Sequence, residues 1–280
     1  MELSIEVKEL SFFYEKNRPV WEKIHFKIKD GSLVSLLGPN GAGKSTLFQC
    51  MLGLQKKYKG EVRIDGENIR SLSPAQMARK AAYIPQSASA AFNYTVKEIV
   101  LMGTTSLAPG MFRTPGKKEE KLVKQVLEKM KIGHLENRSF MNLSGGERQL
   151  VLIARALAQQ AKILFMDEPA ANLDYGNQIL VLEEMRRLAA EGYTVIQSTH
   201  NPEQAFLYSD SVMAVKEGKI IGFGPPEKIL SSSLIKKLYG VDVKVESLCG
   251  DRIRICVPSG LYDGQWCLKE KGEENGKLGA

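Results

Sequence analysis

Leu33-Val34-Ser35-Leu36-Leu37-Gly38-Pro39-Asn40-Gly41-Ala42-Gly43-Lys44-Ser45-Thr46 is the stretch on which the fold turns. Its first five residues are almost uniformly apolar. That suits a strand covered on both faces, as in a parallel sheet. The next eight, Gly38 to Ser45, match G-x-x-x-x-G-K-[ST], and Thr46 follows. A helical stretch, Ser45 to Leu52, follows. Strand, glycine loop and helix in that order make a cradle for phosphate. Gly38, Gly41 and Gly43 let backbone N–H groups turn inward with no Cβ in the way. The helix start adds positive potential. Pro39, Asn40, Ala42 and Thr46 complete the loop. Lys44 is placed to reach β- and γ-phosphates, and the Ser45 hydroxyl to ligate Mg²⁺. The expected ligands are therefore a nucleoside triphosphate and Mg²⁺.

Working outward, Ile163-Leu164-Phe165-Met166-Asp167-Glu168 reads as a buried strand ending in two carboxylates. At the C-terminal end of a parallel strand, both fall near the crevice where ligands bind. Successive strand residues point to opposite faces, so two different roles are expected. Asp167 is placed to hold Mg²⁺ through a water, and Glu168 to polarise the attacking water. Standing alone, such a pair is a loop start. Downstream of a phosphate loop, it is catalytic. Thr199-His200 follows the next strand, Val195-Ile196-Gln197-Ser198. Beside a γ-phosphate, His200 can donate to the transferring group. His25 and His134 have no such placement and read as structural.

The chain has 280 residues, 43% hydrophobic and 25% charged. Those are globular values, which exclude a disordered or fibrous protein. At about 150 residues per domain, the length allows two domains or one with insertions. The net charge of +7 favours anionic partners without choosing among nucleotide, nucleic acid and membrane surface. No apolar run reaches the 18 or so residues of a membrane span. Met1 to Glu6 lacks a basic region followed by an apolar stretch, so no secretory signal is expected. Cys50, Cys249, Cys256 and Cys267 lack metal-ligand spacing and read as reduced thiols of a cytosolic protein.

Alternating apolar residues predict strands around Leu3 to Val7, Phe26 to Ile28 and Glu61 to Ile64. From about 87 to 160 helical patterns take over. Lys117 to Met130 is an amphipathic helix with Leu122, Val126, Leu127 and Met130 on one face. Thr104 to Gly116 is a Pro/Gly loop. Strand and helix then alternate again: Lys162 to Asp167, a helix from Asn177 to Glu191 ended by Gly192, Tyr193 to Ser198, and Ser211 to Val215. Such alternation implies βαβ units on a doubly wound parallel sheet. Val241 to Val245 and Ile253 to Val257 read as a hairpin around Gly250-Asp251.

Leu143-Ser144-Gly145-Gly146-Glu147 resembles the signature sequence of ATP-binding-cassette (ABC) proteins. Ser144 is a helix N-cap there, and Gly145 and Gly146 expose amides at the helix start. Leu150, Ile153, Ala154 and Leu157 keep that helix on the core. The resemblance covers residues 3 to 240. It implies an α/β fold: a P-loop NTPase (ABC ATPase) core with a parallel sheet, an antiparallel β flank and a helical insertion. The core would take residues 1–86 and 142–240, and the insertion 87–141. A hairpin extension would occupy 241–268 and a flexible tail 269–280. Tyr14 matches the aromatic that stacks on adenine. Gln86, in Tyr83-Ile84-Pro85-Gln86, matches the glutamine that reaches Mg²⁺ and the water and hinges the insertion. His200 matches the switch histidine. Ser144, Gly145, Gly146 and Glu147 would contact nucleotide, and Asn172-Leu173-Asp174 resembles a loop crossing to the partner subunit. Where many relatives carry Thr-Ser, this chain has Ala170-Ala171.

Asp174-Tyr175-Gly176-Asn177-Gln178, Thr199-His200-Asn201-Pro202, Ala205-Phe206 and Thr95 to Gly103 look like the ATPases of metal-chelate importers. That subgroup takes up iron–siderophores, haem and cobalamin. The resemblance implies an ATP-hydrolysing subunit, working as a head-to-tail homodimer. Its other partners would be membrane-embedded permease subunits and, indirectly, a substrate-binding protein. It would sit on the cytoplasmic face of the cell membrane, held there through the permease. The alternative is a soluble ABC ATPase acting on DNA or ribosomes. Between Gly43 and Ser144 no heptads are sustained, as a DNA-repair coiled coil would need, and one cassette is present where ribosome-acting members carry two. The lysines are dispersed rather than interleaved with aromatics, so no nucleic acid is expected as partner. Permease docking is expected near Ala88 to Phe112, with Leu107, Met111 and Phe112 exposed.

Overall fold

All five residues of Leu33–Leu37 are buried. A strand hidden on both faces needs neighbours on both edges and cover above and below. A computed structural model describes residues 3–15, 18–86, 93–107, 115–250 and 253–261, and shows that cover.

Two long strands, β1 (Leu3–Glu15) and β2 (Arg18–Lys29), precede β3 (Leu33–Leu37) and helix α1 (Lys44–Met51). Next come β4 (Lys59–Ile64), the short β5 (Glu67–Asn68), α2 (Pro74–Lys80) and β6 (Ala81–Ile84). Three helices follow: α3 (Val96–Met102), α4 (Lys117–Lys129) and α5 (Gly145–Ala158). Alternation resumes with β7 (Ile163–Met166), α6 (Tyr175–Ala190), β8 (Thr194–Thr199), α7 (Pro202–Tyr208) and β9 (Ser211–Lys216). The described chain closes with β10 (Lys219–Gly224), α8 (Pro226–Ile229), α9 (Ser232–Tyr239) and the pair β11 (Val243–Leu248) and β12 (Ile253–Pro258).

The central sheet has the order β10-β9-β3-β8-β7-β6. All its pairings are parallel except β9 with β10. A second, antiparallel sheet has the order β2-β1-β4-β5. Helix α1 lies between the two sheets. Its Leu47 and Phe48 share one apolar cluster with Ile5, Trp21 and Val62 on one side and Val34, Phe165 and Met213 on the other. The opposite face of the central sheet is covered by α3, α4, α5 and α6. A third, smaller cluster joins α7 and α9 to β9.

The α5 helix follows its sequence. Ser144 caps it, and Ile153, Ala154 and Leu157 are buried as expected, with Leu150 half-buried against the same cluster. In α4, Val126 and Leu127 are buried as expected, as is Met130 just after it, but Val123 is buried as well and Leu122 only packs at the margin. The helix is rotated slightly from the face expected. Helix α6 starts at Tyr175 rather than Asn177, because Asp174 caps it. Strands β6 and β10 and helices α2, α7 and α9 were not predicted. β6, β10, α2 and α7 are short and lean on their neighbours, whereas α9 carries its own apolar stripe, Leu234, Ile235 and Leu238, between Ser231 and Gly240 caps. Of the Thr104 to Gly116 loop, the first residues form a 3₁₀ turn, Gly103–Leu107. Met111 and Phe112, Cys267, and the 269–280 tail lie outside the described residues. No described helix is long and apolar enough to cross a membrane.

Phe165 is fully buried, with its ring 5.3 Å from that of Phe48. It ties β7 to α1 across the first core. Phe165→Ala should cost about 3–5 kcal/mol in a urea melt, as expected for deleting a buried aromatic. A loss under about 1 kcal/mol would show that this core is not the one holding β7 to α1.

Candidate active site

The phosphate loop is shaped by what surrounds it. A Cβ on Gly38 would sit 2.4 Å from the carbonyl oxygen of Val215, so β9 leaves room for glycine only. Gly41 and Gly43 have φ of 79° and 89°, where other residues are strained. The Gly43 carbonyl accepts from Trp21 Nε1 at 2.9 Å. The antiparallel sheet thereby pins the loop. Gly43 also stands at the start of α1 without supplying a side-chain cap. The first N–H groups of that helix are left for an anion.

Lys44 is 6% exposed. Its ammonium donates to Gly38 O at 2.8 Å and Pro39 O at 3.2 Å, and lies 3.4 Å from Glu168 Oε1. Burial pushes its pKa down, and Glu168 and then Asp167 oppose that. A buried cation is costly unless it is paired, so this position favours an incoming anion.

Asp167 follows β7, and its N–H donates to Ile84 O at 2.9 Å. Both carboxylate oxygens are held by hydroxyls. Ser198 Oγ donates to Oδ1 at 2.5 Å and Tyr83 OH to Oδ2 at 3.1 Å. Burial first, and Asp167 second, push the Tyr83 hydroxyl above its ordinary pKa, so it stays a donor. Ser198 Oγ also accepts the Glu168 N–H at 2.9 Å. Glu168 has φ of 44°, left-handed for a non-glycine residue. Its carboxylate meets Gln86 Nε2 at 3.2 Å, His200 Nδ1 at 3.4 Å and Lys44.

Both acids fall in the crevice at the strand end, but strand alternation is not what sets their different surroundings. The strand ends at Met166, and both residues line the same cleft. Their surroundings differ because the left-handed turn at Glu168 re-aims its side chain. The cleft, about 760 Å³, brings together Tyr14, the loop from Asn40 to Thr46, Gln86, Asp167 and Glu168. Such a volume suits a nucleotide-sized ligand. Tyr14 stands at the rim, 63% exposed, with its hydroxyl 3.2 Å from Thr46 Oγ1. A smaller adjoining cavity of about 270 Å³ joins Gln86 and Glu168 to His200, Ala170 and Ala171. His25 Nδ1 lies 3.3 Å from Glu9 Oε1 at the surface, and His134 sits in a 3₁₀ turn.

Ser144, Gly145, Gly146, Glu147 and Asp174 are not among the residues lining that cleft. They form a cluster of their own. Ser144 and Glu147 close a capping box, with Ser144 N–H donating to Glu147 Oε2 at 2.7 Å. Asp174 caps α6 by accepting the Asn177 N–H at 2.9 Å, and that bond holds its carboxyl below the usual range. Gly146 lies against Asn177: a Cβ there would fall 2.0 Å from Asn177 Oδ1. The two helix starts are packed as one unit.

Ser198 and Tyr83 were missed in the sequence. Their positional signal was present: Ser198 lies two residues before His200, and Tyr83 three before Gln86. Both are at C-terminal ends of parallel strands.

A parallel sheet carrying a phosphate loop, an acidic pair at the end of a neighbouring strand and a separate capped Gly-Gly helix defines a P-loop nucleotide hydrolase. The ABC transporter family matches residues 21–171, more than half the chain. An ABC transporter ATP-binding protein of Haemophilus influenzae, itself uncharacterised, is 39% identical over 235 residues, 84% of this chain and 89% of that one. The petrobactin import ATP-binding protein FpuC of Bacillus anthracis is 35% identical, over 84% of this chain and 86% of its own. A solved metal-chelate type ABC transporter, in an inward-facing conformation, superposes with TM-score 0.80 at 29% identity, covering 92% and 98% of the two chains. The chain belongs to the ABC transporter ATP-binding family. It is a nucleotide-binding ATPase.

Lys44→Ala removes the buried ammonium from the loop. ATP affinity, measured by equilibrium binding, should fall about 10- to 100-fold, the equivalent of one or two charge-assisted hydrogen bonds. Unchanged affinity would remove Lys44 from the phosphate site.

Proposed function

We propose that this chain powers import of a metal chelate, such as an iron–siderophore, haem or cobalamin, across the cytoplasmic membrane. The observation that carries the ATPase mechanism is the convergence of Lys44, Gln86 and His200 on the Glu168 carboxylate. Likeness to the petrobactin import subunit and to the metal-chelate type transporter supports the cargo class.

In this reading the loop amides and Lys44 hold the β- and γ-phosphates, and Tyr14 stacks on adenine. Ser45, Gln86 and Asp167 would hold Mg²⁺. All three offer oxygen donors on one cleft, which suits a hard cation. Bound there, Mg²⁺ would neutralise charge on the phosphate oxygens. Glu168 takes the proton of the attacking water, Gln86 positions that water, and His200 donates to the γ-phosphate. Ser144, Gly145, Gly146 and Glu147 act on the nucleotide of a second copy, and Asp174 crosses to it. This accounts for a complete cleft and a separate capped cluster in one chain. The chain would sit on the cytoplasmic face, held by permease subunits, with a substrate-binding protein beyond them.

An apolar groove of about 640 Å³, lined by Leu54, Leu72, Met77 and Tyr83, lies against α2 and β6. Leu54 is 64% exposed there. Strand β6 leads directly to Gln86. We propose that a short permease helix enters this groove, and that the 87–141 insertion, whose Met111 and Phe112 lie outside the described residues, adds to the docking surface. The core is then 1–86 with 142–240, and rotation about Gln86 carries the insertion.

Glu168→Gln keeps the shape and loses the base. Hydrolysis should slow about 10²- to 10⁴-fold while ATP still binds, and ATP should trap a dimer detectable by light scattering. Wild-type turnover would move the base elsewhere. Separately, Leu54→Glu and the pair Met111→Glu with Phe112→Glu should leave basal ATPase intact. Each should weaken co-purification with the permease and abolish chelate uptake into vesicles. Intact assembly and uptake would misplace the docking surface.

A further inference from the structure

Beyond the cassette's phosphate loop and acidic pair, the C-terminal segment makes direct contact with the His200 strand end. His200 has a 53% exposed side chain and, among the described residues, one carboxylate partner, Glu168, at 3.4 Å. Nothing in that side-chain contact alone would hold the imidazole still. Its backbone is another matter. Just before it, Thr199 O accepts the Gly38 N–H at 3.2 Å, and Thr199 Oγ1 accepts the Asn201 N–H at 3.1 Å. Asn201 Oδ1 then caps α7, accepting from Glu203 and Gln204 N–H groups at 2.9 and 3.1 Å. At His200 itself, the carbonyl accepts from Tyr239 OH at 2.9 Å. Tyr239 is the last residue of α9.

The hairpin that follows braces the same elements. Cys256 N–H in β12 donates to Glu203 Oε1 at 3.1 Å, tying the hairpin to the start of α7. Arg254 lies 5.2 Å over the Phe206 ring of α7 and donates to Glu227 O and Leu230 O at 2.8 and 3.1 Å. Val245 N–H donates to Ser232 Oγ at 2.9 Å, fixing β11 on α9. Val243, Val245 and Cys256 pack on the cluster built from Ala205, Leu234, Ile235 and Leu238.

We infer that the C-terminal segment is a brace for the switch histidine: Tyr239, at the end of α9 and packed with the β11–β12 hairpin on one apolar cluster, fixes the His200 backbone and so aims its imidazole at Glu168 and the γ-phosphate. Tyr239 is a positioning residue, since it touches neither nucleotide site. Burial, with Cys256 and Glu168 nearby, pushes its phenol up, so it remains a donor. A single hydroxyl thereby joins a peripheral hairpin to the catalytic carboxylate in three links: Tyr239, His200, Glu168. The inference rests on the reading of His200 as the γ-phosphate donor.

The test is a double-mutant cycle on the full chain, reading kcat, ATP affinity and thermal midpoint. Tyr239→Phe removes one hydroxyl and keeps the ring. It should lower kcat about tenfold, the rate equivalent of one hydrogen bond, with ATP affinity unchanged. His200→Ala should lower kcat further. The double variant should be no slower than His200→Ala alone, because the brace then has nothing to aim. That result separates positioning from a general loss of stability, which would slow both backgrounds equally. Arg254→Ala should lower kcat a few-fold in the parent and leave His200→Ala unchanged. If Tyr239→Phe keeps parental kcat while His200→Ala does not, the brace is overturned and the reading of His200 stands. Multiplying losses overturn it as well. Parental kcat in His200→Ala would overturn the reading of His200 itself, and unchanged kcat in Arg254→Ala would take the hairpin out of the brace.

Discussion

A carboxylate that is only 11% exposed must be paired, and Glu168 is paired from three directions. Lys44 comes from the start of α1, Gln86 from the end of β6 and His200 from the end of β8. No two of these elements are adjacent in sequence. They meet only because β3, β8, β7 and β6 run parallel and end at one edge. The sheet's order is therefore a condition of the site. Glu168 also adopts a left-handed backbone, which a non-glycine residue holds only when its surroundings insist. Here its N–H is tied to Ser198 Oγ, and its side chain is fixed by three donors.

The phosphate loop was legible because its information is local. Eight consecutive residues specify turn, amide direction and charge, and the flanking buried strand is a simple apolar run. The acidic pair and His200 were legible for the same reason: each follows a recognisable buried strand. What the sequence concealed was set by tertiary packing. Ser198 and Tyr83 are ordinary strand residues until β6, β7 and β8 come into register. Then their hydroxyls land on the two oxygens of Asp167. Short elements were concealed too. The two glycines of β10 weaken its own strand pattern, and it is held by pairing with β9. Glu147 and Asp174 show a different limit. Motif likeness gave both a place by the nucleotide, while the geometry shows what each does within this chain, which is to cap a helix.

The division of polar labour around the site follows from burial. Lys44 has replaced water by two loop carbonyls and one carboxylate. Carbonyls are weak partners for an ammonium compared with phosphate oxygens, so the exchange on ligand entry is favourable without moving the backbone. Asp167, by contrast, is already held by one hydroxyl donor on each carboxylate oxygen. Those donors fix its orientation and leave its lone pairs on the cleft side to face a cation or its water. One acid is thus pre-set and the other is poised between partners. That difference fits the contrast between holding a charge and moving a proton.

Tyr83 belongs to two places at once. Its ring is part of the apolar groove beside α2, and its hydroxyl donates to Asp167. A rigid phenol spans that distance with only two rotatable bonds. Displacement of the groove wall therefore cannot leave the hydroxyl where it was unless β6 itself stays fixed. Among the described residues, β6 is the outermost strand of the central sheet, paired only with β7. An edge strand is the easiest part of a sheet to shift, since one ladder rather than two resists it. Gln86 follows two residues after that strand and reaches Glu168. Pressure on the groove thus acts on both acids through one short strand, on Asp167 by way of Tyr83 and on Glu168 by way of Gln86. The groove beside α2 and the two acids are joined through that one strand, because the sheet edge is common to both.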